Sequence, residues 1–133
     1  MAIKVAVASE DGETVHQHFG RASRFVIYEV DGDRYRRIEV RNNAPACGAA
    51  PNDDGAPHGG DPMARSVDLV TDCRAVLVAR IGSGAIGRLA NRGVHAVVVP
   101  DYIDGALRRL ISSGLLGAPA RPGETDFQWL DPL

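Results

Sequence analysis

The chain has 133 residues, of which 24% are charged, and a formal net charge of −2 at pH 7. This is about the length of one domain, and the near-neutral charge predicts no attraction to nucleic acid or to an anionic membrane. No apolar stretch reaches the roughly 18 residues of a membrane-spanning helix. The two cysteines, Cys47 and Cys73, form no CxxC pair, so we expect a cytoplasmic protein with free thiols.

The first part of the chain predicts three strands. Residues 3–8 alternate and are rich in β-branched side chains, and residues 25–30 predict a second strand. Asp31-Gly32 is a hairpin signal, so residues 34–41 form an antiparallel third strand. Because this third strand carries many charges, it suits the edge of a sheet.

Helices and strands alternate in the second part. A helix begins at Pro62, and the short apolar runs 75–79 and 94–99 are typical of strands buried on both faces. A short helix ending near Arg92 follows the first of these strands, and a last helix ending at Gly114 follows the second. The predicted order is therefore β-β-β-α-β-α-β-α.

This order predicts a particular topology. The two βα crossovers require parallel strands, whereas the hairpin makes strand 2 antiparallel. The simplest assembly is a five-stranded mixed sheet with strand order 3-2-1-4-5 and helices on both faces, which is the three-layer layout of a ribonuclease H-like α/β fold. We expect residues 1–117 to form one domain, followed by a C-terminal tail of residues 118–133.

Two loops are predicted to meet at one edge of this sheet. Ligands of open α/β sheets bind beyond the carboxyl ends of the parallel strands, where the strand order switches. Strand 1 leads into residues 16–20, His-Gln-His-Phe-Gly, and strand 4 leads into the glycine-rich residues 82–87. The aperiodic residues 42–60 are long enough to close over the same edge. We therefore expect a binding site there.

His16 and His18 are candidate ligands in the first of these loops. A neutral imidazole is a common ligand of transition metals. We interpret His16 as an exposed polar loop residue and His18 as a metal ligand, because His18 directly precedes a Phe-Gly pair at the predicted edge. Gly20 lets the backbone approach a ligand closely. An exposed polar side chain without a ligand is the alternative for both histidines.

Cys47 and His58 lie in the aperiodic segment. A thiolate is a soft ligand suited to iron–sulfur clusters or zinc, and with a histidine on the same loop it forms a candidate metal clamp. No recognised ligand spacing supports the pair, so incidental loop residues are the alternative. For Cys73 and His95, which flank or lie in apolar strands, we expect an inert packed thiol and a structural histidine.

The segment from Gly82 to Gly87 has G-x-G-x-x-G spacing between a strand and a helix. Backbone N–H groups at such a helix N-terminus favour an anion. The motif does not follow the first strand of a βαβ unit, which argues against a dinucleotide and favours another anionic cofactor. Arg21 and Arg80 add positive charge near this loop.

Motifs of catalysis are missing from the sequence. It has no G-x-S-x-G nucleophile elbow. Ribonuclease H-type nucleases hold two metal ions with carboxylates on the sheet, and residues 3–8 offer none. We therefore expect a binding protein rather than an enzyme.

Five segments carry a resemblance to a known family. They are residues 5–9, 18–22, 25–29, 81–85 and 89–94. Together they resemble the dinitrogenase iron–molybdenum cofactor biosynthesis family, the NifX-like group that includes the NafY core domain and the C-terminal domain of NifB. His-Phe-Gly-Arg-Ala combined with Ile-Gly-x-Gly-Ala is the specific part of the resemblance, which spans about residues 2–116.

The resemblance implies a NifX-like domain in residues 1–117 that binds an iron–sulfur or iron–molybdenum cofactor, or its precursor, during nitrogenase assembly. It makes His18 a cofactor ligand and places Gly82 and Gly84 beside the anionic cluster. The implied partners are the nitrogenase cofactor assembly proteins that donate and receive this cluster. Cys47 and His58, the candidate metal ligands in residues 42–60, are not part of the shared motif.

We therefore expect a small metallocluster carrier. Two alternatives belong to other classes: a non-catalytic protein-interaction domain of the same fold without a cluster, and an anion- or nucleotide-binding enzyme that uses residues 82–87. A colourless protein that co-purifies with a partner favours the first alternative. Stabilisation by a nucleotide that is lost in Gly84→Val favours the second.

Overall fold

The computed structural model describes residues 2–19, 22–42, 62–117, 119–121 and 128–129. Within them, the elements follow one another in nearly the predicted order. They are β1 (Ala2–Ala8), β2 (Arg24–Asp31), β3 (Arg34–Asn42), α1 (Pro62–Leu69), β4 (Ala75–Val78), α2 (Ser83–Asn91), β5 (His95–Val98), α3 (Ile103–Ser113), a 3-10 turn (Leu115–Gly117) and β6 (Gln128–Trp129).

The strands form a mixed sheet in the order β3-β2-β1-β4-β5-β6. β1 is antiparallel to β2 and parallel to β4, and β4 is parallel to β5. The predicted order 3-2-1-4-5 and the antiparallel strand 2 are therefore confirmed. The sixth strand pairs with Val97 and Val98 of β5. It was not predicted, because two residues are too few to show an alternating pattern.

Helices cover both faces of the sheet, as predicted. Successive side chains of a strand point to opposite faces. Accordingly, Val76 and Val78 of β4 belong to one buried cluster, whereas Ala75 and Leu77 belong to the other. The first cluster includes the inner sides of α1 and α2, and the second includes that of α3. This is the three-layer arrangement expected for a ribonuclease H-like fold.

Glycines in the left-handed conformation end two of these elements. Gly32, with a φ of +64°, lies in the turn between β2 and β3, and Gly114, with a φ of +79°, ends α3. Glycine adopts these angles without the steric cost that other residues have. The predicted hairpin and the predicted end of the last helix are both confirmed. In the part of the chain covered by the structure, no helix has the length and apolar character to cross a membrane.

Arg41 links the edge strand β3 to the end of α1 by hydrogen bonds. Its guanidinium donates hydrogen bonds to the carbonyl oxygen of Leu69 (2.7 Å) and to both carboxylate oxygens of Asp72 (2.7 and 2.9 Å). Lys4 Nζ lies 3.1 Å from the same carboxylate. The hydrogen bonds from Arg41, and then the one from Lys4, hold the pKa of Asp72 well below its usual value.

We expect Arg41→Ala to lower the free energy of unfolding by about 1–2 kcal/mol at neutral pH, because the Arg41 side chain is only 18% exposed and its hydrogen bonds are charge-assisted. The pKa of Asp72 is lower in the folded than in the unfolded state. The stabilisation is therefore complete above the unfolded pKa of about 4 and is lost as the pH falls through the folded value. Urea denaturation over this pH range measures the effect.

Arg36→Ala is the matched control for this experiment. The Arg36 side chain is 75% exposed and bonds to Glu29 of β2, so its removal should change stability by less than about 0.5 kcal/mol. Equal losses in the two arginine variants would contradict the anchoring role of Arg41.

Candidate functional site

After β1 the chain turns back and lies across the carboxyl ends of the parallel strands. We call residues 14–19 the histidine segment. Its backbone hydrogen bonds, donor first, are Gln17 N to Ala8 O (3.3 Å), Ala79 N to Gln17 O (3.0 Å), Phe19 N to Arg80 O (2.9 Å) and Val15 N to Asp101 O (2.8 Å). The segment therefore contacts the residues at the ends of β1, β4 and β5, on the edge where a ligand is expected.

A turn around Asp11 directs the chain into this path. The Asp11 carboxylate accepts hydrogen bonds from the backbone N–H groups of Glu13 (2.8 Å) and Thr14 (3.0 Å). Ser9 Oγ donates a further bond at 3.0 Å. These hydrogen bonds, chiefly the two from the backbone, hold the pKa of Asp11 well below its usual value. Gly12 adopts a φ of +76° within the turn, where glycine has no steric penalty.

Exposure alternates along the histidine segment. Val15 and Phe19 are buried, and Gln17 is half-buried with its side-chain amide hydrogen-bonded to the loop before β2. His16 and His18, which lie between these residues, are both exposed. The two imidazoles therefore lie on the outward side of the segment.

Phe19 anchors the end of the segment in the core. Its side chain is 0% exposed, and its ring centroid lies 5.8 Å from that of Phe25 in β2. Aromatic pairs at this distance add to the stabilisation from burial alone. The neighbouring His18 is thus held at the surface by a buried side chain.

The backbone of His18 pairs with that of Arg80 in a parallel bridge. Arg80 lies just ahead of Gly82, the N-cap residue of α2. The two segments that the predicted topology placed at one edge, around His18 and around Gly82 and Gly84, are therefore adjacent in the structure.

Gly82 and Gly84 place no side chain over the first turn of α2, and we call the N–H groups of this turn the open amides of α2. Gly82 has a φ of −89° and a ψ of 157°, an ordinary extended conformation, and α2 has no side-chain cap. Apart from the chain neighbours and the backbone of the helix itself, no atom of the described residues lies within 4 Å of a Cβ built at either glycine. Neither backbone strain nor packing within this part of the chain therefore requires glycine here. The first N–H groups of a helix lack intrahelical acceptors and favour an anion.

Two arginines add positive charge to the same edge. Arg80 follows β4, and Arg24 begins β2 beside the end of β1, where Phe25 pairs with Ala8. Both arginine side chains are exposed. The edge thus combines an imidazole, the open amides of a helix and guanidinium groups. These groups suit an anionic ligand that contains a metal able to bind imidazole.

Four predicted site residues lie outside the described residues: Gly20, Arg21, Cys47 and His58. Their roles stay predictions, as does the closure of loop 42–60 over the edge. Within the described ranges, no three His, Cys, Asp or Glu side chains come together as a metal site.

Cys73 and His95 are buried, with 4% and 7% of their surface exposed. Both lie within the packed layers, where the sequence predicted structural roles for them. Burial, reinforced by the nearby charge of Asp72, raises the pKa of the Cys73 thiol to about 12. Cys73 is therefore no candidate for a metal-binding thiolate.

In the folded protein, Cys73 is expected to be chemically inert. A Cys47→Ser variant leaves Cys73 as the one thiol of the chain. At about pH 8, we expect a thiol reagent to react with it at least about 100-fold more slowly than with free cysteine, because both the thiolate fraction and the access are small. Guanidinium chloride should restore the fast reaction. A native-state rate equal to that of free cysteine would contradict the buried position.

The structure also shows two cavities that share Tyr102 and that the sequence analysis did not predict. The three tyrosines of the chain, Tyr28, Tyr35 and Tyr102, line a cavity of about 550 Å³ together with the first residues of α3. His16 lines a second cavity of about 540 Å³ with Pro100 and Tyr102. No motif marks these cavities in the sequence. For His16, the alternation of apolar and polar residues along the histidine segment was the available signal.

Comparisons with known sequences identify the family. A sequence model described as dinitrogenase iron–molybdenum cofactor matches residues 1–113. The chain is 34% identical over 99 residues to protein NifX of Azotobacter vinelandii, which covers 74% of this chain and 58% of that protein. It is 33% identical over 109 residues to the FeMo cofactor biosynthesis protein NifB of Frankia alni, covering 81% of this chain and 21% of that protein. The chain thus spans about a fifth of the length of this NifB and about three fifths of the length of this NifX.

Solved structures share the fold. The protein PH0822 aligns with a TM-score of 0.60 at 25% identity, over 84% of this chain and 90% of that chain. The protein mj0327 of Methanocaldococcus jannaschii aligns with a TM-score of 0.57 at 13% identity, over 85% and 91% of the two chains. Since the family model covers most of the sequence, the chain belongs to the dinitrogenase iron–molybdenum cofactor family.

Proposed function

We propose that this chain carries an iron–sulfur or iron–molybdenum type metallocluster, or its precursor, during nitrogenase cofactor assembly. Family membership and the name of its relative NifB, a FeMo cofactor biosynthesis protein, support the proposal. The observation that carries it is the pairing of His18 with Arg80. This pairing sets an exposed imidazole beside the open N-terminus of α2.

Each group at the edge has a distinct role in this proposal. The His18 imidazole binds a metal atom at the rim of the cluster, since imidazole is a good ligand for iron. The amides at Gly82 and Gly84 donate hydrogen bonds to the anionic cluster, as helix N-termini do to other anions. Arg24 and Arg80 offset its negative charge. We expect Gly20, Arg21, Cys47 and His58 to add the contacts that the sequence predicted for them.

The site suits transient binding. A structural metal site is closed by protein ligands, commonly four for zinc. The described part of this site instead offers an exposed imidazole and backbone amides, which allow a cluster to be released. These groups bind and orient a cargo, so we propose carriage rather than catalysis. The partners in this proposal are the assembly proteins that donate and receive the cluster.

The proposal is tested by anaerobic titration of the apo-protein. The full chain is mixed with isolated iron–molybdenum cofactor and, separately, with its iron–sulfur precursor, and iron and molybdenum per chain are measured after gel filtration. We expect near-stoichiometric binding of at least one of the two clusters. Binding of neither would overturn the proposal and favour a protein-interaction domain of the same family.

Gly84→Val is expected to weaken cluster binding by at least about tenfold, because the added side chain occupies the space through which the cluster approaches the α2 amides. The fold should be kept, since the described residues leave the Cβ position open and valine is a better helix former than glycine. The titration above gives the affinity, and thermal unfolding monitors the fold.

Gly117→Val is the control for Gly84→Val. Gly117 is also exposed, and apart from its neighbours along the chain no described atom lies within 4 Å of a Cβ built at this position. It follows α3, near the start of β4, where Arg74 bonds to the carbonyl oxygen of Leu116. Normal binding by Gly84→Val, or an equal defect in Gly117→Val, would contradict a role for the α2 N-terminus.

A further inference from the structure

The histidine segment carries a second imidazole, His16, whose orientation is held by its neighbours. His16 Nδ1 lies 3.1 Å from the backbone oxygen of Thr14 and 3.1 Å from Thr14 Oγ1. Thr14 Oγ1 in turn donates to the Asp11 carboxylate at 3.1 Å. The sequence predicted an ordinary exposed residue at His16, and the cluster-carrier proposal makes no use of it.

These contacts indicate which ring nitrogen of His16 carries the proton. A carbonyl oxygen only accepts hydrogen bonds, and Thr14 Oγ1 has directed its own hydrogen toward Asp11. His16 Nδ1 is therefore the donor, which leaves the lone pair of the neutral ring on Nε2. Metal-binding histidines are typically oriented in this way, by an N–H bond to a backbone carbonyl or carboxylate.

His18 lies on the same side of the segment as His16. Both are exposed, whereas the residues before, between and after them face inward. The backbone bonds of Gln17 and Phe19 to the strand ends hold the segment along the sheet edge. In extended chain, residues two apart point the same way at a separation of about 6.6 Å. With the His16 ring held by Thr14, a rotation of the exposed His18 side chain would bring the second imidazole onto the same metal ion.

We propose that His16 Nε2 and the His18 imidazole together bind one divalent transition-metal ion that prefers nitrogen ligands, such as Ni²⁺ or Zn²⁺. The cavity of about 540 Å³ beside His16 has room for the water molecules that complete the coordination. The Asp11 carboxylate, 3.9 Å from His16 Nδ1, favours a cation, and the exposed Arg80 opposes one. Because both proposed ligands are imidazole nitrogens, a hard ion that prefers oxygen ligands, such as Mg²⁺, is not expected to bind there.

The ion site shares His18 with the proposed cluster site. A bound Ni²⁺ or Zn²⁺ ion therefore competes with the cluster for this imidazole. The ion site is tested with metal salts in the absence of any cluster. A protein that binds no Ni²⁺ or Zn²⁺ can therefore be told apart from one that binds no cluster.

Isothermal titration of the tag-free full chain with NiCl₂, ZnCl₂ and MgCl₂ tests the site. We expect one Ni²⁺ or Zn²⁺ per chain, no Mg²⁺ binding, and affinity at least about tenfold lower in His16→Ala and in His18→Ala. His58→Ala, a control outside the pair, should bind as the natural chain does. Full binding by His16→Ala, or loss of binding in His58→Ala alone, would overturn the proposal.

The orientation of His16 is tested separately. In ¹⁵N NMR spectra of the ring nitrogens, neutral His16 should be the Nδ1–H form before metal is added, and Zn²⁺ should shift the Nε2 signal. Thr14→Val, which removes the hydroxyl and keeps the size of the side chain, should weaken Zn²⁺ binding by about tenfold. An Nε2–H form of His16, or a signal unmoved by Zn²⁺, would overturn the assignment.

Discussion

His18→Ala is expected to weaken binding of the isolated cluster by at least about tenfold, which corresponds to about 1.4 kcal/mol. The substitution removes the exposed imidazole that the pairing with Arg80 sets beside α2. The open amides of α2 remain, so we expect weakened rather than abolished binding. The measurement is the anaerobic titration with metal per chain as the readout, at several protein concentrations.

Folding of His18→Ala should be normal, because the replaced side chain is exposed and its buried neighbour Phe19 is unchanged. Arg108→Ala serves as the control, since this side chain is 72% exposed on α3. Unchanged cluster affinity in His18→Ala would remove His18 from the ligand set and shift the search to Cys47 and His58. Equal weakening in both variants would show that the effect is not specific to the site.

Phe25→Ala should destabilise the protein by about 3–5 kcal/mol, the usual range for a buried phenylalanine. Phe25 is 0% exposed and packs against Phe19, with ring centroids 5.8 Å apart. Its loss leaves a cavity beneath the end of the histidine segment. Since domains are stable by only about 5–15 kcal/mol, this is a large fraction of the total. Urea unfolding gives the difference in free energy.

Ile38→Ala is the control for the phenylalanine variant. Ile38 lies on the edge strand β3 and is 37% exposed, so its truncation should change stability by less than about 1 kcal/mol. A Phe25→Ala loss no greater than that of Ile38→Ala would contradict the packing of the two phenylalanines. A further consequence of the Phe25 cavity is a more mobile histidine segment and weaker cluster binding.

Local signals explain why the fold was predictable. Asp31-Gly32 indicated the hairpin, and Gly114 indicated the end of α3, because the left-handed conformation strongly favours glycine. The apolar run of β4 indicated a strand buried on both faces, and the crossovers then required parallel neighbours. Strand order followed from these few facts. β6 gave no such signal, because a pairing of two residues with β5 depends on tertiary contacts alone.

The candidate site was predictable only in outline. Topology placed the segments around His18 and Gly82 at one edge, and the structure shows them side by side. The path of the histidine segment was not predictable, since its hydrogen bonds join residues far apart in sequence, such as Phe19 and Arg80. The orientation of His16 depends likewise on its contacts with Thr14, which no motif records.

The most direct test of the cluster-carrier account is pulsed EPR of the loaded protein. Protein with ¹⁵N-labelled histidine is loaded anaerobically with a cluster in a paramagnetic state, and the spectrum is searched for nitrogen coupled to the cluster. The account predicts a directly bound ¹⁵N that disappears in His18→Ala. A loaded protein whose cluster shows no coupling to histidine nitrogen would contradict it.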